Sequence, residues 1–262
     1  MNAVDIAVSR AAEVLAAAPA ALISDVDGTI SRIVSRPEAA VVSAGVQASL
    51  SCLAHELALV AVITAREEAA ARRMVGVEEL TYVGNYALDG ATAADIGEEP
   101  LAAAKAAVRP LLGSFPCVTL EDKGVAFSLH YRNCEDETVP GRLLAAVEPL
   151  AEATGARVLH GKQVIELVPR ALPNKWGAVE RLLQERGISG VVYLGDDLGD
   201  IAVFRGILRR RAETGLPGLA VAVVDEETDS TVREAADLTL DGVDEAEALL
   251  AQLAGLTREG GA

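Results

Sequence analysis

The sequence is short of aromatic residues and of positive charge. Aromatic residues make up 3% of its 262 residues, and 23 basic residues stand against 39 acidic ones, which gives a formal net charge of −16. A surplus of negative charge repels the phosphate backbone of nucleic acids and anionic membrane surfaces, so we expect neither as a partner. An anionic substrate would have to be attracted by local cations or by a metal rather than by the field of the whole protein.

Cysteine is also scarce. The three cysteines, Cys52, Cys117 and Cys134, share no CxxC spacing and are odd in number. This pattern predicts reduced thiols that pack as small apolar residues, rather than a disulfide framework or a zinc site. It is typical of a protein in a reducing compartment.

The N-terminal region lacks an apolar segment long enough to cross a bilayer. Asp5 and Glu13 interrupt it, and the uncharged run from Val14 to Ile23 contains Pro19. A membrane-spanning helix needs about 20 apolar residues, and the region carries no pattern of a targeting signal. We therefore expect a soluble, cytoplasmic protein.

Short apolar runs, in contrast, are abundant and alternate with helical patterns. Examples are "ALISD" (21–25), "LALVAVIT" (57–64) and "GLAVAVVDE" (218–226) in a chain that is 51% hydrophobic. Continuous runs of Val, Ile and Leu between helices predict parallel strands that are covered on both faces. The fold class predicted for most of the chain is therefore α/β, with a doubly wound, Rossmann-like parallel sheet.

The middle of the chain breaks this alternation. From about Ala87 to Pro169 the patterns read helix, strand, strand, helix, strand, strand, and "EDKG" and "HGKQ" suit hairpin turns. Two hairpins with two helices predict a compact α+β domain. We therefore predict a core formed by residues 1–86 and 170–262, with residues 87–169 as an inserted second domain.

Acidic residues follow two of the predicted strands. Asp25 and Asp27 follow the first, and three more aspartates lie in "GDDLGD" (195–200). Ligands of open parallel sheets bind at the carboxyl ends of the strands, so these side chains should converge. Carboxylates brought so close together repel one another unless a cation lies among them, and Mg²⁺ prefers such oxygen ligands. The sequence thus predicts a Mg²⁺ site at this edge.

The spacing of the first two aspartates suits phosphoryl chemistry. Side chains two residues apart on extended backbone point to the same side, so Asp25 and Asp27 can reach one phosphorus atom. One carboxylate can attack as a nucleophile and form a phospho-aspartate. The other can protonate the leaving oxygen and then activate water.

Four segments in order resemble the motifs of the haloacid dehalogenase-like superfamily of Mg²⁺-dependent phosphatases. They are "DVDGT", Thr64 in "VITAR", Lys175 in "PNKWGA" and "GDDLGD". The segment between the second and third motifs is similar to the C2-type cap of that superfamily. The resemblance implies a core of that fold with an inserted α+β cap.

The resemblance also implies roles for individual residues. Asp25 is the expected nucleophile, and Asp27 is the expected general acid and base. Thr64 and Lys175 are the expected catalytic residues that hold the phosphoryl oxygens. The implied Mg²⁺ ligands are Asp25, the backbone carbonyl of Asp27, and Asp196, with Asp197 and Asp200 as further ligands or as supports for water and lysine. The implied phosphate-binding residues are Gly28, Thr29, Thr64, Arg66 and Lys175.

A narrower resemblance covers roughly Ala21 to Phe204. The segments "DVDGTISRIVSRPEAA", "VAVITAR", "LTYVGNYALD", "LEDKGVAFSLHYR", "GKQVIELVPRALPNK" and "YLGDDLGDIAVF" are similar, in order, to motifs of the trehalose-6-phosphate phosphatases. The cap segments imply a disaccharide phosphate whose hydroxyls are bound by polar side chains. The implied substrate-binding residues are Asn85, Glu121, Lys123, His130, Arg132, Glu166 and Asn174.

These resemblances imply hydrolysis of trehalose 6-phosphate to trehalose and phosphate through an aspartyl-phosphate, with functional coupling to a trehalose-6-phosphate synthase. Other substrates stay open, namely glucosylglycerol phosphate, mannosylglycerate phosphate or a simpler sugar phosphate, because Tyr86, Ala87 and Ile201 depart from the usual motifs. Phosphomutase transfer and a non-catalytic sugar-phosphate sensor are further alternatives. Trp176 is expected to pack, and the arginines Arg205 and Arg209 to Arg211 to solvate a loop rather than to touch substrate.

Overall fold

The computed structural model describes residues 2–34, 36–84, 98–123, 126–169 and 174–260. The chain divides into two compact units: unit 1 comprises Met1–Ala87 and Pro173–Ala262, and unit 2 comprises Leu88–Leu172. The boundaries predicted at 86/87 and 169/170 fall at stretches outside the described residues. The predicted domain limits therefore stay a prediction.

Helices and strands alternate along unit 1. Before unit 2 the elements are α1 (Ala3–Leu15), β1 (Ala20–Ser24), α2 (Ala44–Glu56), β2 (Leu59–Ile63), α3 (Glu68–Val75) and β3 (Thr81–Val83). Unit 2 contains α4 (Glu98–Val108), β4 (Thr119–Asp122), β5 (Phe127–His130), α5 (Val139–Thr154), β6 (Ala156–Gly161) and β7 (Val164–Pro169). Unit 1 then continues with α6 (Lys175–Glu185), β8 (Gly190–Gly195), α7 (Ile201–Thr214), β9 (Gly218–Val224), α8 (Ser230–Ala235), β10 (Leu238–Asp241) and α9 (Gly242–Gly260).

In the described part of the chain, unit 1 forms a six-stranded sheet in the order β10-β9-β8-β1-β2-β3, with every neighbouring pair parallel. Every residue of β1, β2, β8 and β9 is buried, because helices cover both faces. Leu50 of α2 and Leu249 of α9 belong to the core on one face, whereas Val179 of α6 and Phe204 of α7 belong to the core on the other. The predicted doubly wound parallel sheet is confirmed.

Unit 2 is a four-stranded antiparallel sheet in the order β4-β5-β7-β6, with α4 and α5 packed through a separate apolar core. The strands form the two predicted hairpins, since β4 pairs with β5 and β6 with β7. In the second hairpin the residue with positive φ is Gln163 (58°) rather than the glycine of "HGKQ". The predicted α+β layer is thus present.

The prediction of reduced thiols is wrong for two of the three cysteines. Cys117 and Cys134 form a disulfide with their Cα atoms 5.2 Å apart. Pairing of Thr119 with His130 brings the chain before β4 beside the chain after β5, and a turn from Tyr131 to Cys134 completes the approach. The number and spacing of cysteines do not reveal this contact, because it depends on strand register. The third cysteine, Cys52, lies in α2 with its Sγ 3.6 Å from the carbonyl oxygen of Ala254.

Among the residues that the structure describes, no helix is long and apolar enough to cross a membrane.

Candidate active site

The carboxyl ends of β1, β2 and β8 place three of the predicted site residues side by side. The amide of Asp25 donates to the carbonyl of Leu194 at 2.9 Å, and the amide of Thr64 donates to the carbonyl of Val83 at 3.0 Å, so both residues continue the ladder of the sheet. Asp196 follows β8 directly. All three side chains are buried, because the sheet is covered on both faces up to this edge.

The buried carboxylates are close enough to share a cation. Oxygen atoms of Asp25, Asp196 and Asp200 lie within 4.8 Å of one another. Burial raises the pKa of Asp25 well above its ordinary value, Lys175 lowers it, and the carboxylates of Asp200 and Asp196 raise it further. Ionised oxygens held this close in a buried site suit a metal ion, which removes their mutual repulsion. The arrangement therefore suggests a metal site.

Asp200 is occupied by hydrogen bonds within unit 1. Its Oδ1 accepts from Lys175 Nζ at 2.7 Å and from the hydroxyl of Tyr193 at 2.6 Å, and its Oδ2 accepts from the amides of Asp196 (2.9 Å) and Asp197 (3.2 Å). Burial works to raise the pKa of Asp200, but Lys175 and these donors hold it below its ordinary value. Four donors thus take up the four lone-pair positions of the Asp200 carboxylate, which makes it the most fully bound of the three carboxylates.

Gly195 makes this support possible. A Cβ added at residue 195 would lie 2.3 Å from Cγ of Asp200, closer than any real contact of a side chain. A larger residue would therefore displace the Asp200 carboxylate from its four donors.

Tyr193 is a site residue that was not predicted. This side chain is fully buried in β8, and its hydroxyl donates to Asp200. Burial raises the pKa of Tyr193 well above its ordinary value, as does the charge of Asp200. The available signal was that Tyr193 precedes Gly195 by two residues on a strand, which puts both on the same face, and that a buried tyrosine hydroxyl needs a partner.

Lys175 lies at the centre of the acidic cluster. Its Nζ is 2.7 Å from Asp200 Oδ1, 3.2 Å from Asp25 Oδ2 and 4.0 Å from Asp197 Oδ1. Burial alone would lower the pKa of Lys175, but the attraction of Asp200 and Asp25 raises it well above the ordinary value. The ammonium group therefore stays charged, and it balances part of the negative charge of the Asp25 and Asp200 carboxylates.

Asn174 starts the helix that carries this lysine. Its side chain accepts a hydrogen bond from the amide of Gly177 at 3.1 Å, which makes it the N-cap of α6. The expected contact of Asn174 with substrate stays a prediction, whereas its cap contact fixes where Lys175 enters the site.

The turn after β1 packs against Asp196. The hydroxyl of Thr29 donates to Asp196 Oδ1 at 3.0 Å, and Gly28 has a φ of 83°. A Cβ at residue 28 would lie 2.0 Å from Asp196 Oδ2. Glycine is required here both by the left-handed backbone and by the approach of this carboxylate.

Asp27 and Arg66 form a bidentate ion pair. Arg66 Nε lies 2.6 Å from Asp27 Oδ2, and Arg66 Nη2 lies 2.7 Å from Asp27 Oδ1. The amide of Arg66 also donates to Thr64 Oγ1 at 3.2 Å, which links the loop after β2 to the buried threonine. The structure thus places Arg66, expected from the resemblance to bind phosphate, on the residue expected to transfer protons.

Asp197 is the most open aspartate of the "GDDLGD" segment. Its Oδ1 accepts from the amide of Gly199 at 2.8 Å, and 36% of its side chain is exposed. Limited hydration raises the pKa of Asp197, Lys175 opposes the rise, and Asp200 and Asp196 add to it. Water at the exposed part of the carboxyl reduces this effect.

A second polar cluster lies on the sheet of unit 2. Lys123 Nζ and the hydroxyl of Ser128 both donate to Glu166 Oε1, at 2.6 and 2.7 Å, and His130 Nε2 lies 2.8 Å from Glu121 Oε2. The strand register places Glu121 opposite Ser128 and Ser128 opposite Glu166, so these side chains share one face. Ser128 was not predicted, although it alternates with Phe127 and Leu129, which are buried in the core of this unit.

Two further residues, besides Asn174, were predicted to bind substrate. Arg132 Nη2 donates to the carbonyl of Lys162 at 3.2 Å, at the turn between β6 and β7. Asn85 lies outside the described residues. Both assignments stay predictions.

The arginines of α7 contact protein groups. Arg210 donates to the carbonyls of Ile188 (2.6 Å) and Ser189 (3.3 Å), and Arg211 pairs with Asp237 at 2.9 Å. Trp176 packs against Gly206, where an added Cβ would lie 2.1 Å from the indole ring. These contacts hold α7 against the sheet.

Comparison with known proteins gives consistent matches. A sequence model of the trehalose-phosphatase family matches residues 23–244. The chain is 34% identical over 203 residues to a trehalose-phosphate phosphatase of Mycobacterium ulcerans, and the match covers 71% of this chain and 51% of that protein. It is 36% identical over 203 residues to an uncharacterized glycosyl hydrolase of Mycobacterium tuberculosis, of which it spans 15%. The chain thus spans about half, or less, of these relatives.

The fold also recurs among solved structures. The C-terminal domain of C. albicans trehalose-6-phosphate phosphatase superposes with a TM-score of 0.81 at 20% identity, over 96% of each chain. Likeness at this level of identity shows the fold alone. It confirms the predicted fold class, a parallel α/β sheet with an additional α+β domain.

Proposed function

The chain belongs to the trehalose-phosphatase family, and from this premise we propose that it is a Mg²⁺-dependent phosphatase that hydrolyses trehalose 6-phosphate to trehalose and phosphate. The observation that carries the proposal is the buried contact of Lys175 Nζ with Asp25 Oδ2 at 3.2 Å, next to the carboxylate of Asp196. A charged lysine beside a crowded carboxylate is the arrangement that a phosphoryl-transfer site with an aspartate nucleophile requires.

Mg²⁺ is the metal that we propose for this site. Asp25, Asp196 and the backbone carbonyl of Asp27 would hold it, because these are hard oxygen donors and Asp200 is used by other groups. When bound, Mg²⁺ neutralises clustered negative charge and polarises the phosphoryl group.

The chemistry would proceed in two steps at one phosphorus atom. In the first, an oxygen of Asp25 bonds to phosphorus while the bond from phosphorus to the sugar oxygen breaks, and Asp27 gives its proton to that leaving oxygen. In the second, water attacks the phosphorus of the aspartyl-phosphate and passes a proton to Asp27. The bond from phosphorus to Asp25 then breaks, which releases phosphate and restores the carboxylate.

Lys175 and Thr64 would bind the phosphoryl oxygens during both steps. Lys175 is held in place by Asp200, whose other donors are the hydroxyl of Tyr193 in β8 and the amides of Asp196 and Asp197. Thr64 Oγ1 accepts a hydrogen bond from the amide of Arg66, so its own hydrogen is available for an anionic oxygen. The phosphate site would thus be organised before substrate binds.

The sugar would be bound by the polar cluster of unit 2. Carboxylates, an ammonium group and an imidazole on one sheet face supply both donors and acceptors for sugar hydroxyls. The proposed sugar-binding residues of this cluster are Glu121, Lys123, His130 and Glu166.

Phosphate release from a panel of esters tests the proposal. Purified protein would be assayed with trehalose 6-phosphate, glucosylglycerol phosphate, mannosylglycerate phosphate and glucose 6-phosphate, each with and without Mg²⁺. Asp25→Asn should abolish release, while Asp241→Asn, an exposed aspartate at the end of β10, should not change it. A preference for another ester would contradict the assignment of trehalose 6-phosphate as the substrate. Equal phosphate release without a divalent metal would contradict the assignment of Mg²⁺.

Location and coupling are further parts of the proposal. We propose a cytoplasmic protein that consumes the product of a trehalose-6-phosphate synthase. The disulfide of unit 2 is a reason to measure the cellular location directly, because disulfide bonds are uncommon in the cytosol of most organisms. Fractionation of cells with thiol trapping would detect both the compartment and the oxidation state.

A further inference from the structure

We propose that Arg66 is a positioning residue for Asp27 and that it serves proton transfer to the leaving oxygen rather than binding of the phosphoryl group. The inference rests on the proposed function, since it concerns the general acid of that reaction. It differs from the role that the family resemblance implies for Arg66.

The geometry of the pair is specific to arginine. Two N–H groups of the guanidinium meet the two oxygens of Asp27 at 2.6 and 2.7 Å, an arrangement that fixes the plane of the carboxyl group as well as its position. Each N–H group uses one lone-pair position of an oxygen, and the second position of each oxygen can carry the proton that is transferred. Lysine supplies a single point of charge and cannot hold both oxygens in this way. An exchange of arginine for lysine should therefore preserve the attraction but lose the orientation.

The backbone on both sides of the pair is held in place. Asp27 forms a bridge with Ser31, and the amide of Gly28 donates to the Ser31 carbonyl at 2.7 Å. On the other side, a Cβ at Gly84 would lie 2.8 Å from the carbonyl oxygen of Arg66, so the chain after β3 packs directly on this loop. Two constrained loops thus present the guanidinium and the carboxylate to each other.

The pair remains within reach of solvent and substrate. The side chains of Arg66 and Asp27 are 19% and 33% exposed, whereas those of Lys175 and Asp25 are 8% and 7% exposed. Lys175 and the proposed nucleophile Asp25 therefore lie in the buried part of the site, and the Asp27 carboxyl lies at its more exposed side. We place the leaving oxygen of a bound ester at this more exposed side.

The nature of the leaving group separates the two roles of Arg66. A sugar oxygen leaves as a strong base and needs a proton from Asp27, whereas p-nitrophenolate leaves without one. The ratio kcat/KM reports the steps up to the first irreversible one, here formation of the aspartyl-phosphate. Loss of a residue that positions the acid lowers kcat/KM for the sugar ester only, and loss of a phosphate ligand lowers it for both esters.

The test is a double-mutant cycle with two substrates. The variants are Arg66→Ala, Arg66→Lys, Asp27→Asn and the double variant Arg66→Ala/Asp27→Asn, with Arg73→Ala as the matched control, an exposed arginine of α3. For trehalose 6-phosphate we expect Arg66→Ala to lower kcat/KM by roughly 10- to 100-fold, with Arg66→Lys close to it, as a fraction of the effect of a general acid. For p-nitrophenyl phosphate, Arg66→Ala should lower kcat/KM by less than about threefold. The same small loss is expected for trehalose 6-phosphate when Arg66→Ala is added to Asp27→Asn.

Three outcomes would overturn the inference. Equal losses with both esters, together with weaker inhibition by inorganic phosphate, would make Arg66 a phosphate ligand. A full further loss in the Asp27→Asn background would show a role independent of Asp27. Unchanged kcat/KM in Arg66→Lys would show that charge alone suffices. The proposed function fails separately, if the wild-type protein releases no phosphate from trehalose 6-phosphate in the presence of Mg²⁺. The double-mutant cycle is then measured with the sugar ester that the protein does hydrolyse.

Discussion

Removal of the disulfide in unit 2 should destabilise that unit alone. Cys117 and Cys134 are separated by 17 residues, and closing a loop of this length removes enough chain entropy from the unfolded state to stabilise the folded one by about 3 kcal/mol. The exchange of Cys117→Ser with Cys134→Ser should therefore lower the free energy of opening of unit 2 by about that amount. Unit 1 shares none of this loop and should not change.

Hydrogen exchange measured by mass spectrometry is the suitable assay. The single tryptophan, Trp176, lies in unit 1, so its fluorescence does not report on unit 2. Where exchange is limited by the opening equilibrium, a loss of about 3 kcal/mol makes amides in β4, β5 and α5 exchange roughly 100-fold faster, since about 1.4 kcal/mol corresponds to a factor of ten.

The control for this experiment is Cys52→Ser, which changes a cysteine of unit 1 and should leave exchange in unit 2 unaffected. Adding a dithiol reductant to the wild-type protein should reproduce the effect of the double exchange. If exchange in β4, β5 and α5 rises less than about threefold, or if unit 1 is accelerated equally, the argument from loop entropy is refuted.

The other predictions concern the core of unit 1. In the presence of a chelator, the contribution of Asp25 to stability should fall as pH rises above about 4, because folding raises the pKa of Asp25 from its ordinary value of 3.8 and the protonated form is the one that the folded state favours. Denaturation at several pH values should therefore show a different pH dependence of stability for Asp25→Asn than for the wild type, and an identical pH dependence would contradict the assignment. Tyr193→Phe removes one of the donors to a buried carboxylate and should cost about 1 to 3 kcal/mol in urea denaturation, with lower turnover; an unchanged midpoint would show that the hydroxyl contributes nothing. Gly206→Ala should lower the melting temperature, because the added Cβ would lie 2.1 Å from the ring of Trp176. Gly177→Ala in α6 should instead raise the free energy of unfolding by about 0.5 to 1 kcal/mol, because a Cβ there meets nothing within 4 Å. Equal effects of the two glycine exchanges would show that helix propensity rather than packing decides.

Much of the fold could be predicted from local patterns. Continuous apolar runs such as "ALISD" and "LALVAVIT" indicated strands buried on both faces, and a parallel sheet follows from their alternation with helices. The position of Asp25 and Thr64 at the sheet edge follows as well, because each comes directly after such a strand. The helix α7, however, was not assigned, since its sequence "IAVFRGILRRRAET" mixes an apolar face with many charges.

Contacts between side chains distant in sequence escaped prediction. Arg66 was assigned to phosphate by resemblance, but its partner Asp27 lies 39 positions earlier and meets it only because β1 and β2 are neighbours in the sheet. Ser128 and Tyr193 carry little signal as single residues. Each acquires its role from the carboxylate that the folded chain places opposite its hydroxyl.

The sequence by itself indicated the class of chemistry that we propose, because the order and spacing of its acidic, threonine and lysine motifs constrain which groups can meet at one sheet edge. It also determined the sheet, through the periodicity of its apolar residues. Only the tertiary structure decided that the carboxylate of Asp200 accepts from four donors. It likewise decided that Cys117 and Cys134 pair. The physical reason is that hydrogen bonds, ion pairs and disulfides act over a few ångströms, and strand order and register alone set which distant residues come that close.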